Sequence, residues 1–352
     1  MRTSTVRRTW RLFIGAVLVA CVHAHAGANA PRPADDLAAA GPFAVQTLEF
    51  PDLIDATRGR KVPIKVHVPA TGGPFPVVVV SHGAGGHWDA NFAQARHLAS
   101  HGYVVLAVEH VGSNTEVMKR SFRFVANLEA MTRNAAEVLG RPKDIGFAID
   151  RAEEWNRTHE VLRGRLDVKK VGVLGHSFGA YTTLVVAGMR PALDWLKPPV
   201  GPGHGLGPDL RDTRVACGVA LSPQGPGEPF FIESSYASLQ IPLLGISGSE
   251  DKQQRDRPEN RRRAFELWPP GEKYLVWLAG ADHLAFSDST GSKHVMLPSR
   301  SRSDVQPVVR AATLLFFDAC LKNDAAARQS LTAAALRRYW RGEADGIEVL
   351  HK

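Results

Sequence analysis

The sequence predicts a three-layer α/β fold around a mostly parallel central sheet. Two observations carry that reading. Six short runs are apolar on both faces and rich in β-branched residues: Phe75–Gly83, Tyr103–His110, Lys169–Ser177, Val215–Ser222, Ile241–Gly248 and Lys273–Gly280. A strand covered by helices on either side needs that composition, because neither face meets water. Helical stretches separate the runs, and right-handed strand–helix–strand connections build a parallel sheet between two helical layers.

The elements follow in order. Residues 49–70 ("EFPDLIDATRGRKVPIKVHVPA") read as an antiparallel hairpin leading into the first parallel strand. "ANFAQARHLASHG" reads as a helix closed by Gly102, and "KDIGFAIDRAEEWNRT" as a helix opened after Pro142. "TTLVVAGM" makes another helix directly after Ser177. Residues 112–140 are longer than a connection needs, which predicts a cap over a cleft. The Pro/Gly-rich stretch 190–212 predicts a second rim. Residues 42–322 form the main domain on this reading, and 323–352 a C-terminal helical extension.

The N-terminus carries a different signal. Arg2, Arg7, Arg8 and Arg11 precede an apolar run from Leu12 to Val22, and Ala24-His25-Ala26 supplies an A-x-A cleavage site. That is the layout of a secretory signal peptide over residues 1–26, with a flexible Ala/Pro/Gly-rich leader over 27–41. The apolar run is far too short for a transmembrane helix. Export to the periplasm or outside the cell is the expectation. Leu18-Val19-Ala20-Cys21 resembles a lipobox, which would tether the chain through Cys21, and Arg7-Arg8 is a weak match to a twin-arginine signal.

The whole chain has 43 basic and 35 acidic side chains, a net charge of +8, and the signal arginines account for half of the excess. The one basic run, Arg261-Arg262-Arg263, reads as a solvated helix face rather than a nucleic-acid contact. Cys217 and Cys320 remain after cleavage; they either pair in an oxidising compartment or stay as thiols, Cys217 within an apolar run. No P-loop or GxGxxG occurs, so no nucleotide cofactor is implied. His82, His87, His110 and His176 lack metal-ligand spacing, so no metal is expected. Oligomeric state is not encoded in any visible repeat or heptad.

Gly175-His176-Ser177-Phe178-Gly179 fits G-x-S-x-G, a weak pattern alone. Its position at a strand end, immediately before a helix, is what a nucleophile elbow requires. A serine hydroxyl attacks only when a base takes its proton. His283, after the last run, is the candidate base. A carboxylate must then fix the imidazole from its far side. Asp251 is the candidate, three residues after Gly248, with Glu250 in reserve; Asp282 adjoins His283 and would project elsewhere. The oxyanion requires preorganised donors, expected from the backbone N–H groups of Phe178 and of Ala84 in "SHGAGGHWD". Trp88, Phe230 and Phe286, with Phe178 and Phe231, are candidates for an apolar substrate site.

With these residues placed, the chain resembles the dienelactone-hydrolase-like and platelet-activating-factor-acetylhydrolase-like serine esterases of the α/β-hydrolase superfamily. The resemblance spans roughly Phe50 to Phe286 and rests on "DATRGRKVPIKVHVP", "GPFPVVVVSHGAGG", "LASHGYVVLAVEH", "RPKDIGFAID", "VGVLGHSFGAYTT" and "GADHLAF". It implies a three-layer α/β-hydrolase fold and a cofactor-free esterase acting on short-acyl, phospholipid-like or lactone esters. Two departures stand out. Dienelactone hydrolases use a cysteine nucleophile, where this chain has Ser177. The acetylhydrolases take their acid just after the strand that follows the nucleophile, where this chain reads "VALSPQGPG" with Ser222. Cutinases and polyesterases place it where Asp251 stands, which makes a polyester hydrolase or lipase the neighbouring reading. A peptidase and a non-catalytic binding protein on a hydrolase scaffold are the remaining alternatives.

Overall fold

The computed structural model describes residues 36–253, 256–293, 297–343 and 345–352. The expected signal peptide, with Arg7-Arg8, Cys21 and the A-x-A site, lies outside the described residues. Among the described residues no helix is long and apolar enough to cross a membrane.

All six apolar runs are strands, and they are neighbours. They are β5 (Phe75–Ser81), β6 (Val104–Val108), β7 (Leu166–His176), β8 (Val215–Leu221), β9 (Leu243–Glu250) and β10 (Lys273–Asp282), paired in parallel in the order β6-β5-β7-β8-β9-β10. The leading hairpin is β1 (Val45–Phe50) against β4 (Ile64–Pro69), with a two-residue ribbon of β2 (Ile54–Asp55) and β3 (Arg60–Lys61) at its tip. β4 then joins β6 antiparallel and completes that edge. This is the mostly parallel sheet of the α/β-hydrolase fold.

The alternation along β5 shows why the runs are β-branched throughout. Val78 and Val80 pack into one core with α1 (Phe92–Ser100) and α7 (Arg302–Leu321). Val77 and Val79 point the other way, into a core with α4 (Ala135–Thr158). Successive side chains alternate across a strand, so both faces of β5 are core, and burying each such side chain contributes roughly 1.5–3 kcal/mol. A third core lies around α5 (Phe178–Val186) and α6 (Pro258–Leu267).

The strand order sets the site. The chain leaves β5 for β6 on one side and returns to β7 on the other. Loops at the carboxyl ends of β5 and β7 therefore diverge and leave a crevice between them, the usual binding position in open α/β sheets.

Three expectations need correction. The helix expected to open after Pro142 begins at Ala135, with Pro142 inside it. Asn134 caps it, accepting from the N–H groups of Ala136 and Glu137. A proline there deprives the carbonyl four residues back, that of Val138, of its donor. Tyr181 Oη supplies the missing bond to Val138 O at 3.0 Å. Tyr181→Phe is therefore expected to destabilise the fold by about 1–3 kcal/mol, read as a lower urea midpoint with unchanged m. An unchanged midpoint would show that the carbonyl finds another donor.

The C-terminal extension is not wholly helical. After α8 (Ala325–Gln329) and α9 (Ala333–Leu336) it ends in β11 (Ile347–His351), antiparallel to β10. Leu331, Leu336, Tyr339 and Ile347 belong to the main core. The leader expected to be flexible over 27–41 is fastened from Leu37 onward. Leu37 N donates to Tyr339 Oη, His97 Nε2 to Leu37 O, and Gly41 N to Ser100 Oγ.

Candidate active site

Ser177 is the single residue between the end of β7 and the start of α5, and it is held at φ 55° and ψ −119°. A non-glycine residue at positive φ costs free energy, which the surroundings must offset. They do so by close packing. A Cβ on Gly175 would lie 2.1 Å from Gly179 O, and one on Gly179 would lie 1.9 Å from Ser81 O. The flanking glycines thus let three backbones approach, while the serine itself makes the turn.

Three of the expected residues come together. His283 Nε2 lies 3.0 Å from Ser177 Oγ, and His283 Nδ1 lies 2.7 Å from Asp251 Oδ1. Asp251 is fully buried at the end of β9, and its Oδ2 accepts from Ser247 Oγ at 2.7 Å. The reserve and excluded acids are occupied elsewhere. Glu250 pairs with Lys252 on the surface, and Asp282 accepts from Ser299, Ser301 and the N–H of Leu284. His176 Nε2 donates to His283 O at 2.9 Å and so anchors the histidine's backbone.

Two residues around the acid escaped the sequence reading. Ser222, at φ 62°, places Oγ 3.0 Å from both Asp251 Oδ1 and His283 Nδ1. Arg261 is the correction to the arginine run: Arg262 and Arg263 do lie outward against Glu348, Glu266 and Glu233, but Arg261 is buried. Its Nε lies 3.1 Å from Asp251 Oδ1, and its guanidinium donates to the carbonyls of Asp251, Ser222 and Pro223. Helical phase was the available signal, because Pro258, Arg261, Ala264 and Phe265 fall on one face of α6 and are buried together. Burial alone would push the Asp251 carboxyl up. The Arg261 charge and the bonds from His283 and Ser247 outweigh it and hold it at about 2.

The loop expected to hold an oxyanion donor is folded by its own hydrogen bonds. Gly85 N donates to Ser113 O and Gly86 N to Gly83 O, which folds the loop over Ala84. The N–H of Phe178 opens α5, where first-turn donors have no intrahelical partner. Beneath the loop, the fully buried Arg141 donates to His82 O and Ser81 Oγ, with its guanidinium 4.2 Å from the Phe178 ring. Burial lowers Arg141 to about 9.

A second Ser–His–Asp set sits directly below. Ser81 Oγ lies 2.9 Å from His110 Nε2, and His110 Nδ1 lies 2.8 Å from Asp144 Oδ2. All three are sealed from solvent, and Asp144 is also tied to Arg58 and Arg60. Its geometry resembles the upper set, but no substrate can reach it.

A cleft of about 220 Å³ opens over Ser177. Ala84, Phe178, Phe230, Val125 and Leu128 form its apolar wall, and Gln224, Arg133, Glu129, Glu228 and Asp256 its polar one. α3 (Phe124–Arg133), from the stretch expected to cap the cleft, provides one side. Phe230 stacks on Phe178 at 5.2 Å. The Gln224 amide donates to Ser177 O at 2.7 Å, and its buried oxygen has no hydrogen-bond partner. Trp88, Phe231 and Phe286 are placed elsewhere: Phe231 and Phe286 are fully buried core, and Trp88 packs beside the α1–α7 core under Lys65 Nζ, 4.8 Å away. Aromatic residues near strand ends divide between core and cleft by layer, which a single sequence does not display. Among the described residues no His/Cys/Asp/Glu group could hold a metal. Cys217 and Cys320 are free thiols, and burial, with Cys320 beside it, pushes Cys217 well up.

The histidines make a prediction for stability. Burial holds His67, His97 and His176 at about 3 and His82 and His110 well below their usual value. Unfolded histidine takes up a proton near 6.5 while these do not. Their contribution is therefore complete above about pH 6.5 and is lost as pH falls toward the folded values. Asp144 and Asp256, shifted up by burial, oppose this only at the acid end. The urea midpoint is expected to fall steeply between pH 6.5 and about 4.5; a flat midpoint there would mean the histidines protonate within the fold.

Comparison with known proteins agrees with this fold. A family profile for platelet-activating factor acetylhydrolase, isoform II, matches residues 59–122. The chain is 27% identical to the platelet-activating factor acetylhydrolase of Cavia porcellus over 257 residues, covering 65% of this chain and 52% of the relative. With the enzyme of Canis lupus familiaris it shares 26% over 253 residues, covering 62% and 50%. Cutinase 1 of Thermobifida cellulosilytica is 26% identical over 223 residues, covering 63% and 64%. The chain spans about half the length of the acetylhydrolases it matches.

Proposed function

We propose, from the kinship of this chain with the platelet-activating-factor-acetylhydrolase-like serine esterases of the α/β-hydrolase superfamily, that it is an exported carboxylic ester hydrolase working through Ser177, His283 and Asp251. The observation that carries the proposal is the unbroken line of contacts from Ser177 Oγ through His283 to Asp251 at the floor of an open cleft. His283 Nε2 takes the Ser177 proton as Oγ attacks the ester carbonyl. The imidazolium that forms is stabilised by the ionised Asp251. The carbonyl oxygen becomes an anion received by the Ala84 and Phe178 N–H groups. His283 then gives its proton to the leaving alcohol, and water repeats the cycle on the acyl-enzyme to release the acid.

The export half rests on the N-terminal sequence alone. No cofactor enters the scheme. The similarity to cutinases supports a second reading of the substrate, an ester group within a polymer, by the same chemistry.

The test is a series of p-nitrophenyl esters from acetate to palmitate, together with a fluorophosphonate probe. Hydrolysis is expected with a short-to-medium acyl optimum, since the cleft is small, and the probe is expected to add once, to the peptide carrying Ser177. A folded protein that neither turns over an ester nor takes the probe would end the esterase reading and favour a binding role.

A further inference from the structure

The described surface exposes five large apolar side chains, Ile54, Phe122, Phe124, Val125 and Leu297, and three of them stand together, Phe122 in one turn and Phe124 and Val125 where that turn enters the helix α3. That turn joins α2 (Thr115–Met118) to α3 and is exposed from Lys119 to Ala126. Phe122 makes no packing contact that removes it from solvent. A phenyl ring in water is costly, and exposed apolar clusters of this kind mark interaction surfaces.

The turn is nonetheless well made. Asn127 Nδ2 donates to Met118 O and Ser121 O, at 3.0 and 3.1 Å, and Asn127 Oδ1 accepts from Ser121 Oγ at 2.9 Å. The N–H of Arg123 donates to the same hydroxyl. Hydrogen bonds are thus spent on holding outward the residues that would ordinarily turn inward.

Two further features say what the turn meets. Lys119, Arg120 and Arg123 flank the rings; of the nearby acids, Glu116 lies 3.7 Å from Lys119 and Glu129 is paired with Arg133 at 2.9 Å. The patch also runs into the cleft, because Val125 is at once exposed and part of the cleft wall above Ser177. Aromatic rings beside basic side chains suit a lipid–water boundary: rings enter the acyl edge while cations remain with anionic headgroups. A second copy of the chain fits less well, since a symmetric contact through this turn would set like charges against each other.

We propose that the turn from Lys119 to Val125 docks the protein on an anionic phospholipid surface and seats the mouth of the cleft on it. The proposal builds on the esterase reading for its purpose, but its test measures binding without turnover.

The purified full chain carrying Ser177→Ala is sedimented with vesicles of phosphatidylcholine, alone or mixed with phosphatidylserine. Binding is expected to be stronger on the mixed vesicles and to weaken with salt. Phe122→Ser with Phe124→Ser is expected to lower the partition coefficient by about tenfold or more on both. Lys119→Glu with Arg120→Glu and Arg123→Glu is expected to remove the preference for the anionic vesicles and leave the weaker binding. Binding unaffected by either set, or no binding at all, overturns the proposal. So does a dimer in gel filtration that the phenylalanine variant dissolves, or capture on a neutral polyester film with no affinity for vesicles. In the Ser177 background, the phenylalanine variant keeps wild-type turnover of a soluble p-nitrophenyl ester, which separates docking from chemistry. A wild type inert on that ester while binding vesicles would fail the esterase reading alone.

Discussion

Ser177→Ala is expected to lower kcat on an activated ester by roughly 10⁵-fold or more, with little change in KM. The substitution removes the oxygen that lies 3.0 Å from His283 Nε2 and leaves the cleft walls in place. A residual rate above water is expected, because oxyanion donors act without the nucleophile. The fold should not suffer. Alanine retains the positive φ strain of position 177, so the thermal midpoint is expected to stay near the wild-type value. The measurement is single-site: ester turnover beside the melting curve. Activity retained in a fully folded variant would dismiss Ser177 as the nucleophile.

Asp251→Asn is expected to cost about 10⁴-fold in kcat. The amide can still touch His283 Nδ1 but cannot stabilise the imidazolium, and it invites the wrong tautomer. It also leaves the buried Arg261 with Asp256 as its remaining carboxylate partner, which adds a loss of stability. The geometry around Ser222 allows a sharper experiment. Its Oγ already lies 3.0 Å from His283 Nδ1, on the neighbouring strand end. A carboxylate at 222 would reach the same nitrogen and still meet the Arg261 guanidinium. Asp251→Asn with Ser222→Asp is expected to recover ten- to a hundredfold of the lost rate, roughly 1.4–2.7 kcal/mol of transition-state stabilisation. Recovery would show that the acid acts through its charge beside Nδ1 rather than through its place on β9. If the double variant stays as slow as Asp251→Asn while folded, a carboxylate at 222 does not replace the one on β9.

The parallel sheet was legible because its cause is local. A strand hidden on both faces has a composition that no exposed segment needs, and the six runs that show it are the six parallel strands. That Ser177, His283 and Asp251 meet was legible for a related reason, since strand ends in this topology converge on one edge. What the sequence hid depends on contacts between distant residues. Pro142 reads as a helix start until Tyr181 is seen to supply the bond that proline forfeits. Arg261 reads as surface until the phase of α6 turns it toward Asp251. The closing strand β11, "IEVLH", has no clean alternation and follows helical segments, and pairing with β10 fixes it. Trp88, Phe231 and Phe286 look like Phe230 in one dimension; only the layer each enters separates core from cleft.

The sealed Ser81–His110–Asp144 set changes how His283 can be observed. In proton magnetic resonance, an imidazole N–H held by a carboxylate and screened from water gives a line far downfield. Among the described residues two such bonds of nearly equal length stand out, 2.7 Å at His283 and 2.8 Å at His110. The His110 line belongs to the interior, where exchange waits on an opening of the sheet, and is the sharper and longer-lived of the two. It should be indifferent to inhibitors bound over Ser177. A spectroscopist who assigned the more persistent line to the cleft would be following the sheet's packing and reporting it as chemistry.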